Sequence, residues 1–188
     1  MRLIVGLGNP GPQYAWTRHN LGFLVVAALS EDWGIPLKSH KLEAVWGQGR
    51  VEGEAVVLAQ PTTYMNLSGR AVLKLLNYWR LPSSDLIVVH DDLDVPPGRV
   101  KLVWDGGAGG HRGVLSVMNA LGSAEFYRVK MGIGRPPPEM AAEDFVLLPL
   151  QPEELEEVAG LVDLAAQAVK TLVTEGLAAA QNRFHRAD

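Results

Sequence analysis

The sequence predicts an α/β protein, a single-domain three-layer sandwich whose mixed, mostly parallel sheet is flanked by helices. Short apolar runs rich in β-branched residues alternate with segments of helical periodicity, and two of the runs meet at a hairpin-like turn near Glu52-Gly53. The 188 residues are 47% hydrophobic, which is enough for one sizeable core. We therefore expect residues 1–188 to form one domain.

The predicted strands are short apolar or alternating runs bounded by Gly, Pro or polar clusters. They cover residues 2–7, 45–59 (two strands), 86–89, 99–103 (an edge strand) and 128–133. The predicted helices carry apolar residues at spacings of three and four. They cover residues 20–33, a segment capped by Asn66 or Ser68 and ended by Pro82, 114–121, and 153–181 with an interruption at Gly176.

The composition excludes several classes of chemistry. Because the chain has no cysteine, it has no disulfide framework, no thiolate zinc site and no cysteine nucleophile. The apolar run at the N-terminus is too short for a signal peptide, and no stretch reaches the length of a membrane span. We expect a cytoplasmic protein that has no membrane partner.

The charge is unevenly distributed along the chain. The net charge is −4, yet residues 99–135 contain six basic and two acidic residues, whereas residues 139–163 contain eight acids and no Lys or Arg. One face of the protein can therefore attract a polyanion such as nucleic acid. An ordinary solvated surface explains the same asymmetry and stays open as the alternative.

The segment Gly6-Leu7-Gly8-Asn9-Pro10-Gly11 matches the G-x-G-x-x-G pattern of dinucleotide-binding proteins. That pattern requires a helix that begins at the glycines and directs its N-terminus at the pyrophosphate. Pro10 and the following Pro12 oppose a helix at this point. We therefore reject a nicotinamide cofactor.

His19 and Asp91 are the candidates for acid–base chemistry. His19 lies in the dense polar segment 14–22, and Asp91 directly follows an apolar strand, at the sheet edge to which the first strand delivers Asn9. A histidine oriented by a carboxylate is a natural general base, although a capping histidine is the alternative. A metal cluster is a rival interpretation, but no H-E-x-x-H pair supports it, and we expect no metal.

Water is the expected nucleophile, because the chain has no G-x-S-x-G motif. The segment Thr62-Thr63-Tyr64-Met65-Asn66 gathers hydroxyls, an aromatic ring and an amide just after a strand, which suits a substrate's amides or an aromatic base. Capping and turn chemistry explain this segment equally well. The glycines of residues 106–110 predict a loop whose backbone can approach a ligand closely.

Several motifs together resemble the bacterial-type peptidyl-tRNA hydrolase family, in its order and spacing and over nearly the whole chain. The motifs are Gly8-Asn9-Pro10-Gly11, Tyr14, Thr17-Arg18-His19-Asn20-x-Gly22, Pro61-Thr62-Thr63-x-Met65-Asn66, His90-Asp91-x-Leu93-Asp94, Gly109-Gly110-His111, Gly132-Ile133-Gly134 and Asn182-Arg183-Phe184-His185. The resemblance implies a monomeric α/β enzyme that hydrolyses the ester between a peptide and the 3′ ribose of tRNA. It implies no cofactor, no metal and no obligate protein partner.

The resemblance also implies roles for individual residues. His19 matches the catalytic histidine, Asp91 matches the carboxylate that steadies it, and Asn9 matches an amide that helps to distinguish N-blocked from free aminoacyl-tRNA. The remaining matches are substrate-contacting or cleft-lining positions, namely Tyr14, Tyr64, Asn66, Met65 and His111.

Two departures from the family pattern bear on tRNA binding. Arg112 stands where the family usually has Asn, and it keeps donors for a phosphate or carbonyl. Val103-Trp104-Asp105 stands where the family is usually basic, which removes part of the expected phosphate-binding group. The basic residues that remain are Arg99, Lys101, Arg128 and Lys130. Arg128 and Lys130 alternate on a strand and face one way, so they are the expected phosphate contacts. The alternative functions are an RNA-binding relative that has lost hydrolysis and a metal-dependent esterase.

Overall fold

A computed structural model describes residues 1–185 of the chain, so residues 186–188 of the predicted domain lie outside the described part. The six strands are β1 (Arg2–Gly6), β2 (Ala44–Val51), β3 (Glu54–Pro61), β4 (Leu86–Asp92), β5 (Val100–Val103) and β6 (Tyr127–Gly132). They form one sheet in the order β2-β3-β1-β4-β6-β5. The pairs β1–β3, β1–β4 and β4–β6 are parallel, and the two outer pairs are antiparallel. The mixed, mostly parallel sheet is confirmed.

Helices cover both faces of this sheet. They are α1 (Leu21–Trp33), α2 (Ser68–Trp79), α3 (Arg112–Leu121), α4 (Ala142–Phe145), α5 (Leu155–Glu175) and α6 (Leu177–Phe184). Apolar residues of α1 and α5 pack on one face, and those of α2 and α3 pack on the other. The predicted three-layer sandwich is therefore confirmed.

The central strand β1 shows how the sequence specifies two core layers. Successive side chains of a strand point to opposite faces, so Leu3 and Val5 join the cluster under α2 and α3, while Ile4 joins the cluster under α1 and α5. All three are fully buried. A parallel strand that is covered on both faces reads as a continuous apolar run, as residues 3–7 do.

The structure corrects two predicted helix boundaries. Neither Asn66 nor Ser68 caps α2, because a 3₁₀ turn over Met65–Leu67 precedes the helix and the Ser68 hydroxyl donates to the Met65 carbonyl at 2.7 Å. The helix α3 begins at Arg112, two residues earlier than predicted. His111 explains this earlier start, because its ring caps the helix.

The edge strand β5 is covered by α6 and the residue after it. The Leu102 N–H donates to Nε2 of His185 at 2.7 Å, and Nε2 of Gln181 donates to the Leu102 carbonyl at 3.1 Å. These bonds satisfy backbone groups that an exposed edge would leave free for a foreign strand. Among residues 1–185, no helix combines the length and the apolar composition that a bilayer span requires.

Candidate active site

A cleft of about 410 Å³ lies at the carboxyl ends of β1 and β4. These two strands are adjacent and parallel, so the residues that follow them meet at one edge of the sheet, where ligands of open α/β sheets bind. The cleft brings together eight residues that the sequence predicts as site residues. They are Asn9, His19, Tyr64, Met65, Asn66, Asp91, His111 and Arg112.

His19 lies in a 3₁₀ turn, Arg18–Asn20, that leads into α1. The helix approaches the sheet closely at Gly22, where a Cβ atom would lie only 2.4 Å from the Val89 carbonyl oxygen. This close approach places the His19 ring beside the end of β4. His19 Nδ1 lies 2.9 Å from Oδ2 of Asp91. With its Nδ1–H donating to the carboxylate, His19 keeps the lone pair of Nε2 for chemistry in the cleft.

Asp91 is buried, and both of its carboxylate oxygens accept hydrogen bonds. Oδ2 contacts His19, and Oδ1 lies 2.9 Å from Nε2 of His111. Burial alone would raise the pKa of Asp91, but electrostatic interactions and hydrogen bonds with the His111 and His19 rings outweigh burial and hold the pKa well below its ordinary value. The carboxylate is therefore ionised and can stabilise a positive charge on His19.

His111 has a defined tautomer because both of its ring nitrogens are engaged. Its Nδ1 accepts hydrogen bonds from the backbone N–H groups of Gly113 and Val114, at 3.1 and 3.2 Å, at the start of α3. An accepting Nδ1 carries no proton, so Nε2–H donates to Asp91 and the ring is neutral. The sequence predicts that His111 lines the cleft, whereas its capping of α3 is visible only in the structure.

His90 forms a second buried support beneath the site. Its Nδ1–H donates to the Asp91 carbonyl oxygen at 2.7 Å, and its ring stacks edge-on against His111 with centroids 4.9 Å apart. Burial is the main reason that the pKa of His90 falls to about 3. His90 is therefore neutral at ordinary pH and acts as packing rather than as a base.

Asn9 is held with its amide nitrogen available to the cleft. Its Oδ1 accepts the Met65 N–H at 2.7 Å, which fixes the orientation of the amide and leaves Nδ2 as the free donor. Asn20 holds the backbone of Asn9 from behind, through one hydrogen bond in each direction at 2.9 Å. The sequence did not assign Asn20 a role, although the density of polar residues around His19 is a signal for such a network.

The remaining predicted site residues, Tyr14, Lys130 and Arg128, are not part of the cleft lining. Tyr14 lies in a 3₁₀ turn outside the cleft lining described here. Lys130 is partly exposed, with Nζ 3.8 Å from Oδ2 of Asp92. Arg128 is 0% exposed; its Nη2 donates to the Ala124 carbonyl, and its guanidinium lies over the Phe126 ring. The predicted phosphate contact of Arg128 is therefore wrong, because its side chain is buried.

One wall of the cleft was not predicted from the sequence. It consists of α4 and the residues after it, and it contributes Ala142, Glu143, Val146 and Leu147. The Val146 carbonyl accepts the backbone N–H of His19 at 2.9 Å, so this wall also holds the catalytic candidate in place. Its sequence carries no motif, only a short helix in an acidic stretch.

Within residues 1–185, His19, Asp91 and His111 form a group whose ligand atoms lie close enough to hold a metal ion, within 4.8 Å of one another. Their hydrogen bonds oppose that use. Metal binding through Nε2 of His111 would move the ring proton to Nδ1, where it would face the two N–H groups that Nδ1 now accepts. The donor set therefore fits a hydrogen-bonded histidine–carboxylate site better than a metal centre.

Fold and site together define an α/β protein whose histidine–carboxylate pair has the geometry of a general-base hydrolase site. A buried carboxylate orients His19, the second ring nitrogen serves the cleft, and an amide donor from Asn9 faces the same space. These three elements suit general-base hydrolysis, because the base is oriented and a donor is available for a developing oxyanion.

Comparison with known proteins identifies the family. A family model described as peptidyl-tRNA hydrolase matches residues 3–188. The peptidyl-tRNA hydrolase of Symbiobacterium thermophilum is 46% identical over 186 residues, and that of Brevibacillus brevis is 44% identical over 185; each match covers 98% of both chains. The crystal structure of peptidyl-tRNA hydrolase from Acinetobacter baumannii superimposes with a TM-score of 0.90 at 38% identity, covering 97% of this chain and 93% of that one. The chain belongs to the peptidyl-tRNA hydrolase family.

Proposed function

We propose that this chain hydrolyses the ester bond between a peptide, or an N-blocked amino acid, and the 3′ ribose of tRNA. The observation that carries the proposal is the His19–Asp91 pair, 2.9 Å between Nδ1 and Oδ2, at the wall of the cleft. Family membership supplies the substrate class. The products are a peptide with a free carboxyl group and a tRNA that can be charged again.

The reaction proceeds in two proton transfers. Nε2 of His19 takes a proton from water as the water oxygen attacks the ester carbonyl, and Asp91 stabilises the resulting imidazolium. The Nδ2 group of Asn9 donates to the developing oxyanion. His19 then returns the proton to the departing 3′ oxygen as the C–O bond breaks. Because an aminoacyl ester is already activated, no covalent intermediate on the protein is needed.

The other cleft residues serve substrate recognition. Tyr64 is exposed and Asn66 lies beside it at the rim, so both can contact the peptide or the terminal base, while Met65 forms an apolar floor. Lys130 and Arg112 are two cations near the cleft that can contact tRNA phosphates. Asn9 also contributes to discrimination between N-blocked and free aminoacyl-tRNA.

The proposal includes a simple assembly. The chain works as a cytoplasmic monomer and a single domain, with no cofactor and no obligate protein partner. In support, one chain supplies every residue used in the reaction, and the apolar clusters pack on the two faces of a single sheet.

Hydrolysis of N-acetyl-aminoacyl-tRNA tests the proposal. The purified chain is expected to release the blocked amino acid in the presence of EDTA and to leave free aminoacyl-tRNA largely intact. Binding of tRNA without hydrolysis would support the RNA-binding alternative instead. Activity that EDTA abolishes and zinc restores would support the metal-dependent esterase.

A further inference from the structure

An ion pair crosses the mouth of the cleft. Nη2 of Arg112, at the start of α3, lies 3.0 Å from Oε2 of Glu143, in α4, and both residues line the cleft from opposite sides. The two side chains are 69% and 66% exposed. An exposed pair of this kind contributes little to stability and exchanges partners readily.

The wall that carries Glu143 is otherwise fixed to the body of the protein. The His19 N–H donates to the Val146 carbonyl at 2.9 Å, and Arg18 pairs with Glu154 at 2.6 Å while lying over the Phe145 ring. These contacts are more buried than the Arg112–Glu143 pair. The wall therefore keeps its place when the outer pair opens, and only two side chains need to move.

Glu143 pairs with the Arg112 guanidinium, which is the group that an anionic substrate would bind. A guanidinium binds carboxylates and phosphates with the same fork of donors. The proposed substrate carries a phosphodiester next to its terminal nucleoside, close to the ester that His19 would cleave.

We propose that Arg112 is a specificity residue that exchanges Glu143 for a phosphodiester of the substrate's 3′ end. Glu143 then competes with the substrate for Arg112. It pairs with Arg112 in the empty cleft, and the backbone phosphate of a bound ligand replaces it. This inference rests on the proposed function, because the ligand it names is part of peptidyl-tRNA.

The Glu143→Gln variant tests the competition. Removing the competing charge is expected to lower the KM for N-acetyl-aminoacyl-tRNA roughly two- to fivefold at low salt, with kcat unchanged, which is the range that an exposed ion pair supports. Glu52→Gln is the matched control. Glu52 is exposed and paired with Lys170 at 3.4 Å, in the turn at the opposite end of β3 from the cleft, and its substitution removes the same charge.

A double-mutant cycle tests whether the effect passes through Arg112. Arg112→Ala is expected to raise KM, and Glu143→Gln added to Arg112→Ala is expected to change nothing further. A decrease in KM that Glu143→Gln still causes in the Arg112→Ala background, or an equal decrease in Glu52→Gln, would overturn the proposal in favour of general charge repulsion.

The phosphate itself is tested with two competitive inhibitors. Cytidylyl-(3′→5′)-adenosine carries one phosphodiester, and adenosine carries none. Glu143→Gln is expected to strengthen inhibition by the dinucleotide two- to fivefold and to leave inhibition by adenosine unchanged. Equal effects on both inhibitors would overturn the assignment of phosphate. If the wild-type chain hydrolyses no peptidyl-tRNA, the proposed function fails. If the wild type is active and Glu143→Gln has the same KM and the same inhibition constants as the wild type, only the inference about Arg112 fails.

Discussion

His19 Nδ1 lies 2.9 Å from Oδ2 of Asp91, although 72 residues separate them in the sequence. The contact arises because β4 delivers Asp91 to the carboxyl edge of the sheet and Gly22 allows α1 to begin against that edge. The same carboxylate holds His111 through its other oxygen. One buried charge therefore fixes both the catalytic candidate and the residue that caps α3.

Asp91→Asn is expected to reduce kcat by about 10²- to 10⁴-fold at pH 7, because a neutral amide neither fixes the His19 tautomer nor stabilises the imidazolium. The pKa of Asp91 is lowered in the folded protein, so its carboxylate stabilises the fold above about pH 4 and loses this effect as the pH falls further. Urea unfolding should show the wild type's advantage over the variant shrinking below pH 4. Equal kcat values for the wild type and Asp91→Asn would contradict the orienting role of Asp91.

The buried His90 predicts acid sensitivity of the fold. Its pKa is about 3 in the folded protein and near 6.5 in the unfolded chain, so below pH 6.5 only the unfolded chain takes up the proton. The free energy of unfolding should therefore fall between pH 6.5 and 4.5, by at most about 1.4 kcal/mol per pH unit from this residue. His90→Asn keeps a donor and does not titrate, so its slope should be smaller by this amount.

His40→Asn, at an exposed position, is the control for the His90 prediction and should keep the wild-type slope. Identical slopes for the wild type and His90→Asn would show that the proton uptake occurs elsewhere.

Asn9 offers a substitution that separates its two hydrogen-bonding roles. Asn9→Asp keeps an oxygen for the Met65 N–H and replaces the Nδ2 donor by a charged acceptor. We expect kcat/KM to fall by about 10²- to 10³-fold, as for loss of an oxyanion donor, and the preference for N-blocked substrate to shrink. Hydrolysis assays with blocked and free aminoacyl-tRNA measure both effects. Full activity in Asn9→Asp would exclude the donor role.

Much of the site could be predicted because strand ends are visible in the sequence. The apolar runs before Asn9 and Asp91 place both at one sheet edge, and the structure brings them together with His19. The Arg112–Glu143 pair could not be predicted, because both residues lie outside the strands and no periodicity relates them. Likewise, no local pattern shows that the His111 ring accepts two backbone N–H groups and so moves the start of α3.

The alternation of residues in β6 shows a different limit. It correctly puts Arg128 and Lys130 on one face of the strand, but alternation does not reveal what covers that face. The glycine-rich loop lies over Arg128, where a Cβ atom on Gly106 would be 3.2 Å from Nη1. Coverage by a loop is a tertiary effect, so the charge pattern alone overestimates the basic surface.

Lys130 remains a candidate for contact with tRNA phosphates on this face, where Lys101 of β5 is its cross-strand neighbour. Lys130→Ala is expected to raise KM and to reduce the slope of log KM against log salt by about one, as loss of one phosphate contact predicts. Lys170→Ala is the matched control, since Lys170 also pairs weakly with a carboxylate, at 3.4 Å, on α5 away from the cleft. Parallel salt plots for the wild type and Lys130→Ala would exclude this contact.

Activation of water by His19 is the step on which the proposed ester hydrolysis depends. Its most direct test is kcat/KM for N-acetyl-aminoacyl-tRNA with His19→Ala, compared with His40→Ala as an exposed-histidine control. Loss of general-base catalysis predicts a fall of about 10²- to 10⁴-fold in His19→Ala and a wild-type rate in His40→Ala. A folded His19→Ala variant that keeps the wild-type rate would contradict the account.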